Sequence, residues 1–377
     1  MNTRSDALVD RVALLRPSRI QVLSVERTAL AVLLAVALLL PAVAGEYWLK
    51  AIVIPTMIFG LAALGLNLVT GYAGLISLGQ AAFMAVGAFT AVIAYGRYGV
   101  PLPFAVLLAG LLAASIGAVV GVPSLRIKGL YLMVATLAAQ VIVLWIIQRV
   151  PWLGGGSFGS INTPPVMIAG WHVSTSVDQY YLAFSIVALF TLLAWNLARS
   201  RIGRAWVAIR DHELAAEVQG ISMLRYKLLA FTISAFYAGV AGALVVFCWV
   251  GAASVQEYQL DVSIEILGMI IIGGLGTVLG SYLGAAFVLL LPILISTSLT
   301  ALGRTIGAHV MVPADILANA RHIVFGVLIL LFLVREPDGL ARLWRRAAAW
   351  LGRARSSSVA KESGSLGPVD RTRSGSQ

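Results

Sequence analysis

The sequence predicts an all-α integral membrane protein with about ten transmembrane helices. Of its 377 residues, 60% are hydrophobic and only 11% are charged, whereas soluble domains carry about 25% charged residues. Apolar runs approaching the ~20 residues that a spanning helix needs recur along the chain. The predicted spans cover residues 28–44, 51–69, 80–96, 103–121, 129–148, 180–198, 228–249, 262–279, 281–298 and 321–335.

The distribution of basic residues predicts how these spans are oriented. Lys and Arg are enriched in the cytoplasmic flanks of membrane helices. With a cytoplasmic N-terminus, 22 of the 27 Lys and Arg residues lie on the cytoplasmic side and five lie on the other. Both termini are therefore predicted to be cytoplasmic. The predicted regions are a basic N-tail (1–27), a membrane domain (28–345) and a disordered basic C-tail (346–377). The basic residues that set this orientation also explain the net charge of +11, which therefore does not indicate binding of nucleic acid.

The first span leaves an alternative open. Ala42, Val43 and Ala44 follow an apolar run and have the small-x-small form of a signal cleavage site. That run is longer than a usual signal sequence, which favours an ordinary first span over a cleaved one.

A charged island, residues 199–227, separates the sixth and seventh spans and is predicted to be a cytoplasmic loop that presents a helix to a partner. It holds nine of the 43 charged residues of the chain. Small side chains in it predict an amphipathic helix whose apolar stripe can sit in the groove of a partner. The alternative is a helix lying on the membrane surface, for which small side chains make a poor anchor. The stripe consists of Ala205, Ala208, Ile209, Ala215 and Ala216.

Two uncharged, glycine-rich stretches interrupt the spans, and such breaks in two halves of a chain point to a transport pathway. Irregular backbone at membrane depth must be buried in protein or line a water-filled cavity. In the first break, residues 65–83, polarity favours a pathway lining over close packing. In the second break, residues 273–287, the GxxxG spacing of Gly276, Gly280 and Gly284 favours close helix packing. The predicted pathway residues of the first break are Asn67, Thr70, Gly71, Gly74, Ser77 and Gln80.

The sequence also argues against several kinds of chemistry. No Gly-Lys dipeptide occurs, so the chain has no phosphate-binding P-loop and is not predicted to hydrolyse ATP itself. No catalytic residues are predicted, and the four histidines lack the spacing of metal ligands. Glu257, Asp261 and Glu265 precede or begin the eighth span, where acidic residues favour a helix N-terminus. A proton relay is the alternative for these carboxylates.

These motifs resemble the LivM-type permease subunit of branched-chain amino acid ABC importers, in the hydrophobic amino acid uptake group. The resemblance covers about residues 45–345 in order, and the family usually has His where this chain has Gln80. The stretch 213–220 is similar to the EAA signature that contacts the ATPase, so the resemblance implies that residues 199–227 form a cytoplasmic coupling loop. The motifs that carry the resemblance are residues 65–83, 129–132, 153–156, 203–227, 263–267, 273–276 and 337–340.

The resemblance implies an ABC-importer permease fold with broken helices. It implies a non-enzymatic subunit that moves branched-chain or other apolar amino acids across the bacterial inner membrane. The implied partners are a second, LivH-type permease, two cytoplasmic ATPase subunits that use ATP, and a periplasmic substrate-binding protein. The implied ATPase-coupling residues are Arg204, Ala205, Ala208, Ile209, Arg210, Asp211, Glu213, Ala215, Ala216 and Gly220.

Other functions stay open at this point. The same architecture could move urea or short amides, since Gln80 departs from the family pattern. An ion-coupled secondary carrier would more naturally bury a carboxylate in the middle of a span. Apart from the eighth span, which begins with acidic residues, no predicted span has a carboxylate well inside. A membrane scaffold without transport would not need the polar, uncharged breaks.

Overall fold

The computed structural model describes residues 45–124, 130–155, 159–168 and 171–305, with residues 41, 326–327 and 339–340. The predicted spans at 28–44 and 321–335 lie almost entirely outside these described residues. So do both tails and the alternative cleavage site.

The described chain is mainly helical, and its long helices follow the predicted spans. The described helices are α1 (Glu46–Tyr72), α2 (Gln80–Tyr98), α3 (Leu102–Ser124), α4 (Leu130–Arg149), α5 (Pro151–Gly154), α6 (Ser176–Arg199), α7 (Arg201–Asp211), α8 (Glu213–Val218), α9 (Met223–Val250), α10 (Leu260–Gly273) and α11 (Val278–Thr305). Among the described residues, α1, α2, α3, α4, α6 and α9 are long and apolar enough to cross a membrane, and α11 contains a shorter apolar stretch.

Helices α1, α2 and α9 form the buried centre of the described bundle. Helix α9 packs against α1, α2 and α3, and α11 packs against α1 and α10. Helices α4 and α6 lie at the periphery and expose large apolar side chains, among them Trp145 and Leu189. Outward apolar side chains of this kind suit a bundle whose surroundings are lipid.

Glycines allow α2 and α9 to cross with their backbones in contact. A Cβ added at Gly242 would lie 1.9 Å from the carbonyl oxygen of Met84, and one added at Gly87 would lie 2.0 Å from that of Gly239. Such close approach is the usual role of small residues between membrane helices. The two central helices therefore have no space for a side chain at these positions.

The second break is shorter than predicted. Helix α10 ends at Gly273 and α11 begins at Val278, so the predicted span 262–279 ends early and only residues 274–277 form a turn. Gly280 and Gly284 lie inside α11. A Cβ added at Gly284 would be 1.8 Å from the carbonyl oxygen of Met269, which confirms the prediction of close packing for this part of the GxxxG pattern.

Short strands occur at one end of the bundle and were not predicted. Strand β1 (Ser160–Asn162) pairs antiparallel with β4 (Ala252–Ser254). Strand β2 (Met167–Ile168) pairs with β3 (Trp171–His172). We call this the β end. The pairing supplies hydrogen-bond partners to backbone groups of these loops.

The charged island lies at the opposite end of the bundle. Helix α6 runs from β3 to the island, and α9 returns from the island to β4. At ~1.5 Å per residue, helices of this length separate the two ends by roughly 35–40 Å. We call the second end the island end.

Candidate functional site

The charged island folds as two helices in place of the single predicted one. Helix α7 begins after Ser200, whose hydroxyl accepts a 3.1 Å hydrogen bond from the backbone N–H of Ile202, as a helix N-cap does. It ends at Asp211. The next residue, His212, has an extended backbone (φ −150°, ψ 95°), and α8 follows directly. The chain therefore changes direction in the middle of the island.

Two contacts fix the island to the start of α9. Trp206 is fully buried, and its Nε1 donates a 2.9 Å hydrogen bond to the carbonyl oxygen of Tyr226. The ammonium group of Lys227, itself buried, forms an ion pair with the carboxylate of Glu213. Both helices of the island are thus held against the bundle.

The small-residue stripe faces the bundle and not a partner. Ala205, Ile209 and Ala216 are buried against the rest of the chain, and Ala208 is half-buried. This differs from the outward stripe that the sequence predicted. The apolar face of the island packs on the protein's own core. These three side chains are therefore not available to fill a groove in a partner.

The outward face of the island carries a different set of predicted residues. Arg204, Asp211, Ala215 and Gly220 are exposed. Gly220 follows α8 with a φ of +82° and has open space where a Cβ would be. A left-handed backbone of this kind is common after the end of a helix and favours glycine.

An apolar pair on α8 was missed by the sequence analysis. Leu214 is 78% exposed and Val218 is 89% exposed. They are four residues apart and therefore share one face of the helix. The signal that could have identified them is this apolar spacing inside an otherwise charged segment.

Arg210 turns from the island towards the first break. Its Nη1 donates a 2.6 Å hydrogen bond to the carbonyl oxygen of Gly71, and its Nε donates a 3.0 Å bond to Oδ1 of Asp211. Gly74 lies directly beneath it with a φ of +73°, and a Cβ there would be 2.8 Å from Cγ of Arg210. The structure therefore brings this arginine to the break that the sequence predicted to line a pathway.

Asn67 joins the first break to the second. Its Oδ1 accepts a 2.8 Å hydrogen bond from the backbone N–H of Gly276. Its Nδ2 donates 2.9 Å bonds to the carbonyl oxygen of Thr277 and to Oγ of Ser281. The fully buried amide thus has three protein partners, all in or beside the second break. We call the meeting of Asn67, Gly71, Gly74, Arg210 and Gly276 the junction.

The other predicted pathway residues lie next to the junction and are also buried. Thr70 Oγ1 donates a 3.0 Å bond to the carbonyl oxygen of Leu75, and Ser77 Oγ accepts a 3.3 Å bond from the N–H of Gly79. Gln80 Nε2 donates a 3.0 Å bond to the carbonyl oxygen of Ala62. In this conformation these side chains are satisfied by the protein.

A second polar layer, which the sequence analysis missed, supports the start of α2. The Oγ of Ser263 accepts a 2.9 Å bond from the N–H of Ala81 and donates a 2.7 Å bond to Oε1 of Gln140. Thr136 accepts a 3.0 Å bond from the N–H of Leu78. The first N–H groups of a helix have no partner within it. Ser263 of α10 binds one of them, that of Ala81, and Thr136 of α4 binds the chain just before the helix. The available signal was isolated polar residues within apolar spans.

The acidic residues before the eighth span lie at the β end. Asp261 is exposed in the first turn of α10, and Glu257 is exposed in the preceding turn. An acidic residue in this position stabilises a helix N-terminus. The neighbouring Tyr258 is buried, and burial, with a smaller effect of the Glu257 charge, raises the pKa of its phenol. That phenol is therefore neutral at physiological pH.

Comparison with known proteins identifies a related family. A family model described as "Branched-chain amino acid transport system / permease component" matches residues 49–333. The "High-affinity branched-chain amino acid transport system permease protein LivM" of Salmonella typhimurium is 33% identical over 245 residues, and so is that of Escherichia coli. Each match covers 59% of this chain and 57% of the relative, so the chain spans less than two thirds of these relatives' length.

More distant relatives carry other names. The "Autoinducer 2 import system permease protein LsrC" of an Enterobacter species is 30% identical over 200 residues, which is 50% of this chain and 54% of the relative. No solved structure matches the chain significantly.

Proposed function

Because the chain belongs to the family of permease components of branched-chain amino acid transport systems, we propose that it is the membrane-spanning permease subunit of an ATP-driven importer. Its substrates are branched-chain or other apolar amino acids. The names of the LivM relatives support this substrate class. Its place is the inner membrane of a bacterium, with the island end in the cytoplasm.

The observation that carries the proposal is the ordered island with an outward apolar pair. The buried contacts of Trp206 and Lys227 hold the island against the bundle. Leu214 and Val218 project from it, with Arg204 and Asp211 also exposed. Apolar anchors surrounded by charged groups are typical of a protein-binding surface. We assign this face to an ABC ATPase subunit, because this chain has no P-loop of its own.

Further partners complete the importer. A second, LivH-type permease and a second ATPase subunit make it a two-fold assembly, and a periplasmic binding protein delivers the amino acid at the β end. The exposed apolar faces of α4 and α6 are available to lipid and to the second permease.

Reconstitution tests the function directly. The tagged chain is purified from its own membranes together with any bound subunits and placed in proteoliposomes. ATP is supplied on the island side and the binding protein on the other. We expect labelled leucine to accumulate only with hydrolysable ATP, and a protonophore to have no effect. Uptake that collapses with the protonophore and ignores ATP would identify a secondary carrier instead.

Competition assigns the substrate. Unlabelled isoleucine and valine in excess should suppress leucine uptake, whereas urea, acetamide and ribose should not. Urea and acetamide represent the small amides that the Gln80 position leaves open. Ribose represents the solute named for another relative, the "Ribose import permease protein RbsC" of Haemophilus influenzae, which is 28% identical over 108 residues. Transport of one of these with no transport of leucine would reassign the substrate without changing the importer architecture.

Reporter fusions test the orientation. A reporter after Gln377 or near Arg210 should signal a cytoplasmic location, and one near Ser160 should signal the opposite side. A non-cytoplasmic signal near Arg210 would remove the island from reach of an ATPase and would overturn the proposal.

A further inference from the structure

We infer that Arg210 is a positioning residue that ties the island to both breaks, so that movement of the island during ATP turnover moves the two breaks together. The inference rests on the proposed function, since it assigns Arg210 a role within ATP-driven transport. It differs from a direct contact with the ATPase, because Nη1 of the guanidinium group binds a carbonyl oxygen of the permease itself, while 38% of the side chain stays exposed.

A hydrogen bond joins Arg210 to the end of α1. Gly71 is among the last residues of α1, and the last carbonyls of a helix have no partner within it. These carbonyls also form the negative end of the helix dipole, which favours a cation. The 2.6 Å bond from Nη1 of Arg210 satisfies both requirements at once. It is a charge-assisted hydrogen bond, a kind that is stronger than a neutral one.

Asp211 orients the side chain of Arg210. Both Nε and Nη2 of Arg210 lie 3.0 Å from Oδ1 of Asp211. This contact fixes one edge of the guanidinium plane while Nη1 reaches Gly71. Because Arg210 and Asp211 are consecutive residues at the end of α7, a shift of α7 carries the whole group.

The two breaks cannot move independently where Gly71 meets Gly276. A Cβ at Gly71 would lie 2.3 Å from the backbone nitrogen of Gly276, so the two segments touch through their backbones. The Oδ1 of Asn67 binds the same backbone nitrogen. A Cβ at Gly276 would in turn lie 3.4 Å from Nη1 of Arg210. Contacts this close transmit a displacement because packed protein is hardly compressible.

A purely structural arginine and a coupling arginine give different results when replaced. Loss of a structural residue lowers the amount of folded complex, and uptake and ATP hydrolysis then fall in proportion. Loss of a coupling residue leaves the ATPase bound and active while fewer amino acids cross for each ATP. The ratio of uptake to hydrolysis is therefore the informative quantity.

The experiment uses the reconstituted complex with Arg210→Ala and Arg210→Lys. For Arg210→Ala we expect the ATPase subunits to stay bound and hydrolysis to continue, with uptake per ATP about tenfold lower, equivalent to about 1.4 kcal/mol. Lys supplies a cation and a donor but not the planar fork that also engages Asp211, so Arg210→Lys should recover part of the loss. Arg149→Ala, which removes a cation at the β end, is the matched control and should keep the ratio unchanged.

A labelling measurement follows the break itself. Ile76 is 37% exposed within the first break, so Ile76→Cys in a Cys248→Ser background should react with a small water-soluble maleimide. We expect its reaction rate to differ between the ATP-free and the vanadate-trapped complex. In the Arg210→Ala variant this difference should disappear, although vanadate still traps the ATPase.

Two outcomes separate this inference from the proposed function. If the unsubstituted complex binds no ATPase and imports no amino acid, the proposed function fails and the inference fails with it. If the unsubstituted complex works, but Arg210→Ala keeps the normal ratio and the normal labelling difference, the inference alone is overturned. A proportional loss of uptake and hydrolysis would likewise reduce Arg210 to a structural role.

Discussion

The indole Nε1 of Trp206 donates a 2.9 Å hydrogen bond to the carbonyl oxygen of Tyr226, joining the middle of α7 to the first turn of α9. Trp206 is among the largest side chains that are fully buried. A helix that only rested on a surface would not bury its tryptophan in this way. The island is therefore part of the packed bundle, and its position can be tested through the stability of the chain.

Replacing Trp206 should destabilise the protein strongly. Trp206→Ala is expected to lower the free energy of unfolding by about 3–5 kcal/mol, the usual cost of removing a buried aromatic side chain. Trp206→Phe keeps most of the packing and loses the hydrogen bond, at about 1 kcal/mol. Denaturant titration in mixed micelles measures both. Trp145→Ala, at an exposed position of α4, serves as the control, and an equal effect there would contradict the assignment.

The exposed apolar pair on α8 should matter for association and not for folding. Substitution of exposed residues usually changes stability by within about 0.5 kcal/mol, whereas central interface contacts cost about 2 kcal/mol or more. The double variant Leu214→Ala, Val218→Ala should therefore retain its unfolding transition and recover at least tenfold less ATPase subunit on purification. Leu189→Ala, which removes an exposed apolar side chain on α6, should recover the normal amount. Normal recovery from the double variant would place the docking face elsewhere.

One methyl group added where α2 and α9 cross should destabilise the protein. Gly242→Ala forces a Cβ against the carbonyl oxygen of Met84, and overpacking of this kind typically costs about 1–3 kcal/mol. Gly96→Ala lies in the same α2 helix as Met84, yet its Cβ would meet only Pro164 side-chain atoms at 3.4 Å. Thermal unfolding in detergent should separate the two variants clearly. Similar melting temperatures would mean that the helices are less closely packed than described.

Thiol labelling tests whether the first break lines a pathway. Ser77 and Gln80 are buried in this structure, so Ser77→Cys and Gln80→Cys in a Cys248→Ser background should be unreactive towards small water-soluble reagents without ATP. If the break lines a pathway, alternating access should make at least one of them reactive when ATP turnover is trapped. Protection of both positions in every state would assign the segment to helix packing.

The long apolar runs were predictable because spanning helices need length and hydrophobicity, and both are local properties of the sequence. The position of the breaks was predictable for a related reason, since uncharged glycine-rich segments between spans have few alternatives to burial. The direction of the stripe at Ala205 and Ile209 was not predictable. Periodicity identifies an apolar face, but it does not say whether the chain's own core or a partner covers it.

Contacts between residues far apart in the chain could not be predicted from the sequence either. The polar character of Asn67 suggested a functional lining, whereas its three hydrogen bonds connect it to the second break. The pairing of β1 with β4 joins loops that nothing in their local composition relates. Resemblance to the permease family named Arg210 as an ATPase-coupling residue, whereas its bond to Gly71 depends on the folded positions of both segments.

The bonds of Asn67 also set a requirement on biosynthesis. Its partner Gly276 is 209 positions further along the chain, and synthesis at about 5–20 residues per second needs roughly 10–40 s to produce that length. During this interval α1 carries an amide whose final partners have not yet been made. The nascent chain must therefore keep this amide hydrated or temporarily paired, for example near the insertion machinery, until α10 and α11 arrive. Helices α10 and α11, which are synthesised much later, thus complete the hydrogen bonding of α1.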